Sequence, residues 1–182
     1  MVQDDMVQDD MVQDDIAPGE IAVNIVGMDE KPRSTQELDR KGIPYKLVPH
    51  ENSAHTAEDA AKEIGLELGQ IVKSLLVEGH RRGPVLVLVA GDRRIHFGKL
   101  GKIVGDKSVF LCSPERTLEV TGYPVGLVTA FGLKRELPMF LDQSVLDREK
   151  IAVSSGVWGF EIVLKPADLA RAATAEIALF TK

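Results

Sequence analysis

Cysteine is almost absent: Cys112 is the only one in 182 residues. A lone thiol excludes a disulfide within the chain and leaves no cysteine set for a metal, which suits a reducing cytosol. The four histidines, His50, His55, His80 and His96, do not stand at metal-ligand spacings such as HExxH. No apolar run approaches the ~18 residues of a membrane span. The N-terminus has no basic stretch followed by an apolar one, so it is no signal peptide. There is no GxSxG elbow for a serine nucleophile. Neither a metal nor another cofactor is called for, and no membrane partner. Net charge is also scarce. The formal value is -6, but the first fifteen residues hold six aspartates and no base, leaving 22 bases against 22 acids from Ile16 onward. A near-neutral folded part argues against a broad DNA-coating surface and still allows a local basic rim.

What is present divides into a leader and one domain. Residues 1–15 are MVQDD three times over, a period that fits neither helix nor strand. With the Pro/Gly-punctuated connector that follows, residues 1–33 are predicted to be a disordered, low-complexity leader and connector. Residues 34–182 suit a single domain with a full core. Ser34-Thr35-Gln36-Glu37 has the spacing of a capping box that opens a helix. Thr56 is predicted to cap a second helix, with Ala57, Ala60, Ala61 and Ile64 as its apolar face and Gly65 as its end. Ser113-Pro114 reads as a cap followed by proline at the first helical position. Strands are expected at Tyr45–Val48, Ile71–Val77, Pro84–Ala90, Arg93–Phe97, Ser108–Cys112, Leu127–Phe131, Pro138–Leu141, Ile151–Val153, Trp158–Leu164 and Glu176–Phe180. Some are joined by hairpins and others separated by short helices. The fold class is therefore α/β (α+β): a mixed, twisted, partly barrel-like sheet with helices packed around it.

The strand Ile71–Val77 carries the main chemical anomaly, a lysine among β-branched and apolar residues. Burying an unpartnered ammonium costs several kcal/mol, so Lys73 either opens onto a cleft and holds an anion or snorkels out at a sheet edge. Thr121-Gly122-Tyr123-Pro124-Val125-Gly126 is a stiff glycine loop whose backbone can be closely approached. It reads either as an anion- or carbonyl-binding turn or as an ordinary tight connection. Ser154-Ser155-Gly156 at a strand end either donates to a ligand or caps a turn. Cys112 reads as a small core residue rather than a nucleophile. The bases Arg81, Arg82, Lys134 and Arg135 lie in turns and form either a rim for a polyanion or a solvated surface.

In this order the motifs resemble the YbaK/ProX family, free-standing and synthetase-associated aminoacyl-tRNA deacylases that include the editing domain inserted in bacterial prolyl-tRNA synthetases. The resemblance rests on His55-Thr56-Ala57-Glu58-Asp59-Ala60-Ala61, Gly69-Gln70-Ile71-Val72-Lys73-Ser74-Leu75, Val87-Leu88-Val89-Ala90-Gly91-Asp92, Thr121 to Gly126, and Val153-Ser154-Ser155-Gly156. It spans about residues 42–175. It implies a cytoplasmic trans-editing hydrolase that removes a small amino acid such as Ala or Cys from tRNA(Pro) or a related tRNA. Lys73 and Gly126 would be catalytic, Lys73 holding phosphate or developing charge and the Gly126 loop holding the substrate carbonyl. Thr56, Gly122, Ser154, Ser155, Gly156 and Glu161 would bind substrate. The partner would be the aminoacyl-tRNA 3′ end, with an aminoacyl-tRNA synthetase as a second candidate. Two features depart from the family pattern: the loop's proline stands at Pro124 with Ala130 further on, and Ser155 replaces a glycine, which is expected to narrow the site. The alternative reading is a non-catalytic module that binds an amino acid or tRNA end.

Overall fold

In the computed structural model, which describes residues 30–51 and 56–182, eight strands form one mixed sheet. The MVQDD repeats, most of the connector and His55 lie outside the described residues. The elements are α1 (Arg33–Arg40), β1 (Lys46–Pro49), α2 (Ala57–Ile64), β2 (Ile71–Gly79), β3 (Val85–Ala90), α3 (Phe97–Val104), β4 (Val109–Leu111), α4 (Pro114–Thr121), β5 (Met139–Asp142), β6 (Ile151–Ser154), β7 (Phe160–Leu164), α5 (Pro166–Ala173) and β8 (Glu176–Ala178). Short 3-10 turns at Leu68–Gln70 and Gln143–Asp147 lead into β2 and out of β5. Strand order is β1-β7-β6-β2-β3-β5-β8, with β4 also paired to β2.

Strand β3 shows why the sheet has helices on both faces. All six of its residues are apolar and buried. Leu86, Leu88 and Ala90 join the main core with Leu38 of α1, Val120 of α4 and Leu169 of α5. Val85, Val87 and Val89 face the other way, under Leu100 and Val104 of α3. A strand covered on both sides has no need of polar alternation. A third cluster lies on the α3 side, where Ala61 and Ile64 of α2 cover Ile71, Ala152 and Val163. The alanine-rich face of α2 lets it sit close to the sheet.

β2 is forked. Its first residues, Ile71 and Val72, pair in parallel with β6, and its last three pair antiparallel with β4. No strand pairs with Lys73–Leu75 on that side, although β3 pairs along the other edge. The fork opens a break in the sheet at the lysine.

Several local expectations hold. Thr56 accepts from the Asp59 amide at 3.1 Å, Ser113 accepts from the Arg116 amide at 3.2 Å, and Gly65 closes α2 with positive φ. Three expectations do not hold. The capping box at Ser34 does not form: α1 starts after Pro32, and the buried Ser34 hydroxyl instead donates to the Ser155 carbonyl. Glu37, its intended partner, accepts from the Gly132 amide at 2.6 Å. Arg93–Phe97 is not a strand, because His96 caps α3, and only Ile95 makes a bridge, to Thr181. Leu127–Phe131 is buried but irregular, bounded by positive-φ Gly126 and Gly132. Side chains take up its carbonyls: Ser154 donates to Leu127 and Tyr123 to Phe131. Thr129 Oγ1 in this segment is buried without a protein partner.

Candidate active site

The half-buried Lys73 stands at the fork of β2, between the part of the sheet covered by α2 and the part covered by α3. Its Nζ donates to the Gly91 carbonyl at 3.1 Å and to the Arg93 carbonyl at 3.0 Å. It therefore does not simply snorkel into solvent. Burial lowers its pKa, while the charges of Glu58 and Asp92 act the other way. An ammonium has three protons, and two are held by carbonyls, leaving one for a ligand.

The seat is built by two turns pressed together. A Cβ on Gly91 would lie 2.5 Å from the Leu68 carbonyl oxygen, and one on Gly69 would lie 2.4 Å from an Arg148 nitrogen. Arg148 links these turns by ion pairs to Asp92 at 3.2 Å and Glu67 at 3.4 Å. The two glycines are thus explained by close approach, which fixes the carbonyls that hold Lys73.

Ser154 and Glu161 lie on the same face as Lys73. Val72 pairs with Val153 in parallel, which sets Ser154 beside Lys73, and Ser154 pairs with Glu161 across β6 and β7. Ser154 Oγ accepts from the Gly156 amide at 3.1 Å and donates to the Leu127 carbonyl at 3.3 Å. It ties the strand end to the glycine loop. Gly126 is exposed with φ +92, and the Trp158 ring would lie 3.6 Å from a Cβ placed there. Trp158 and Val125 are themselves 46% and 57% exposed.

The other residues singled out in the sequence have structural duties. Thr56 Oγ1 is engaged with Asp59 as the cap of α2. Gly122 ends α4 with φ +78, and its carbonyl accepts from Arg33. The Ser155 hydroxyl turns inward, to the Val157 and Phe160 carbonyls, so it does not narrow the cleft. Gly156 has φ +85 and packs against the Tyr123 ring. The Cys112 thiol is raised to about 11 by burial and by the Glu78 charge, which keeps it protonated and unreactive. Of the four turn bases, Arg81 lines a cavity with Lys102 and Lys107, whereas Arg135 lines another with Glu37 and Glu136.

Sequence reading missed His50. Its ring, with the side chain 4% exposed, stands between Glu63 at 3.3 Å and Glu161 at 3.7 Å. Nothing local marks this, because Glu161 arrives from β7, paired with β1 near the far end of the chain. Burial raises the Glu161 pKa to about 7, with the His50 charge opposing. The unfolded chain ionises this carboxyl near its usual 4.5, so stability falls as pH rises from there through about 7, and the full cost remains above that. Glu161→Gln is uncharged throughout. It should gain about 3 kcal/mol over the parent at pH 8 and almost nothing at pH 4. Denaturant unfolding at the two pH values measures this, and an equal difference at both would contradict it.

Among the described residues no group of three or more His, Cys, Asp or Glu is placed to hold a metal, and no helix is long and apolar enough to cross a membrane.

A solved structure of a candidate trans-editing enzyme for prolyl tRNA synthetase superposes with a TM-score of 0.77 and 32% identity, covering 82% of this chain and 95% of that one. The fold is thus of the trans-editing class. The model of the aminoacyl-tRNA editing domain matches residues 51–172, and the chain belongs to that family. EbsC of Enterococcus faecalis, named as a candidate Cys-tRNA(Pro)/Cys-tRNA(Cys) deacylase, is 30% identical over 75% of this chain and 85% of its own. The Escherichia coli multifunctional Ser/Thr-tRNA deacylase ProXp-y is 28% identical over 80% of this chain and 89% of its own. The match to a proline–tRNA ligase of Thermosipho melanesiensis is 40% identical and covers 59% of this chain but only 19% of that enzyme.

Proposed function

We propose that this protein is an aminoacyl-tRNA deacylase acting in trans, which hydrolyses the ester of a small amino acid such as Ala or Cys on tRNA(Pro) or a related tRNA. Membership of the editing-domain family and relatives named as deacylases support the activity. The observation that carries the site assignment is the half-buried Lys73 ammonium, seated by two carbonyls with one proton uncommitted.

Water attacks the ester carbonyl carbon, and the carbonyl oxygen takes up negative charge. The tetrahedral species collapses by breaking the carbon–oxygen bond, releasing the free amino acid and the ribose hydroxyl. Lys73 holds the terminal phosphate or the developing oxyanion, and the Gly126 backbone holds the carbonyl end. Ser154 fixes that loop, and Glu161 lies on the same face for polar contact with substrate. The vicinal ribose hydroxyl or the substrate α-amino group assists the water, so no triad is required. A cysteinyl ester has a second route, in which its own thiol closes on the carbonyl and leaves as a thiolactone.

Purified protein incubated with Ala-tRNA(Pro) and Cys-tRNA(Pro) should clear at least one of them over many turnovers. Stoichiometric binding of both without product would replace this reading with that of a binding module.

A further inference from the structure

We propose that the exposed side of α3, continued by the β2–β3 turn and the α3–β4 loop, is a track for the phosphate backbone of the tRNA acceptor stem. This rests on the deacylase reading and extends it from the reacting ester to the body of the substrate.

The first observation is charge. Residues 93–105 contain four Lys/Arg and one His with no acid, whereas the rest of the chain from Ile16 onward holds 18 Lys/Arg against 22 Asp/Glu. The second is that these bases are not neutralised. Four bases elsewhere sit in ion pairs: Lys31 with Asp39, Lys41 with Glu37, Arg116 with Glu78, Arg171 with Asp168. Arg81, Arg94, Lys102 and Lys107 are exposed, and among the described residues none forms a salt bridge. Lys99 is not counted, because its Nζ is held by the Thr181 carbonyl at 3.1 Å.

The third observation is shape. Arg81, Lys102 and Lys107 line one cavity of about 590 Å³ together with Gly98, Gly101 and Gly105. The one acid there is Asp106, which is buried. Its oxygens accept from the Arg81, Arg82 and Ser108 amides, so it holds the basic turn in place. At the edge the exposed Phe110 packs against the His80 ring with centroids 5.6 Å apart, a surface on which a base can stack.

The fourth is position. Arg94 lies near enough to Lys73 to act on its charge. Gly79 at the basic turn lies six positions along β2 from Lys73, about 20 Å of strand. That is several nucleotides of backbone. The reactive ester can therefore sit at Lys73 while the preceding phosphates follow α3 to the cavity. A near-neutral folded part that places an acid-free run of exposed bases in line from its candidate catalytic lysine has the charge complementarity of a polyanion that ends there.

The test uses Arg81→Ala/Lys102→Ala/Lys107→Ala beside a control, Lys31→Ala/Lys41→Ala/Arg171→Ala, which removes three ion-paired bases. Substrates are full-length Ala- or Cys-tRNA(Pro) and the same amino acid on a short 3′-terminal oligonucleotide that cannot reach the cavity. The track variant should raise KM for full-length tRNA about 10- to 100-fold with kcat held. It should also lower the slope of log K against log salt by about 2. Turnover of the short ester should be unchanged, which also reports intact folding, and the control should match the parent throughout. A track variant with the parent's KM and salt slope overturns the proposal. If the parent hydrolyses neither ester, the deacylase reading has failed. Binding of uncharged tRNA(Pro) then decides the track alone: a reduced salt slope in the variant supports it and an unchanged slope overturns it.

Discussion

Lys73→Ala should lower kcat/KM for the aminoacyl-tRNA ester by about 10²- to 10³-fold, the range found when one donor to a developing oxyanion is removed. The substitution deletes the half-buried ammonium held at the fork of β2, and no other described base is seated there by two carbonyls. Thermal stability should change little, because relief of the desolvation that lowers the Lys73 pKa offsets the two hydrogen bonds lost. Lys73→Arg should not restore activity. A planar guanidinium is larger than an ammonium and cannot donate to both the Gly91 and Arg93 carbonyls from the same point. Steady-state kinetics and a melting curve on each variant check this together. Undiminished turnover in Lys73→Ala would move the chemistry to another residue.

Gly156→Ala should cost the protein about 3 kcal/mol. Two penalties add. The residue has φ +85, where an L side chain pays about 1–2 kcal/mol. The new Cβ would also lie 2.4 Å from a Tyr123 ring carbon, and overpacking of this kind costs about 1–3 kcal/mol. Tyr123 is poorly able to retreat: its hydroxyl donates to the Phe131 carbonyl, and the Arg33 guanidinium lies 4.9 Å from the ring centroid. The expected fall in Tm is about 6–12 °C for a chain of this size. Gly83→Ala is the comparison, because no atom lies within 4 Å of a Cβ there, and it should melt close to the parent. Equal melting of the two variants would contradict both penalties. The Gly156 turn also carries Ser154, which holds the Leu127 carbonyl, so the same substitution should loosen the Gly126 loop and reduce activity.

Short-range chemistry was readable without coordinates. Thr56 and Ser113 cap their helices because a hydroxyl three residues before an orphan amide needs no distant partner. Gly65 ends α2 because glycine takes positive φ without strain. The apolar run Pro84–Ala90 read as a strand, and the lysine within the strand Ile71–Val77 had either to hold an anion at a cleft or to snorkel out at a sheet edge. Tertiary structure decided what held it. The Gly91 and Arg93 carbonyls come from the turn after β3 and from the start of a stretch that read as a strand, and Arg148 braces that turn from far along the chain. It also overruled the capping box at Ser34, where burial beside Ser155 offered the hydroxyl a partner that the local amide could not match. It left Leu127–Phe131 without a strand partner, because side chains from Tyr123 and Ser154 satisfy its carbonyls instead. His50 meets Glu161 only because β1 pairs with β7. Caps and periodicity act over a few residues and are written in order. A seat for a charge needs groups from several strands, and only the register of the sheet brings them together.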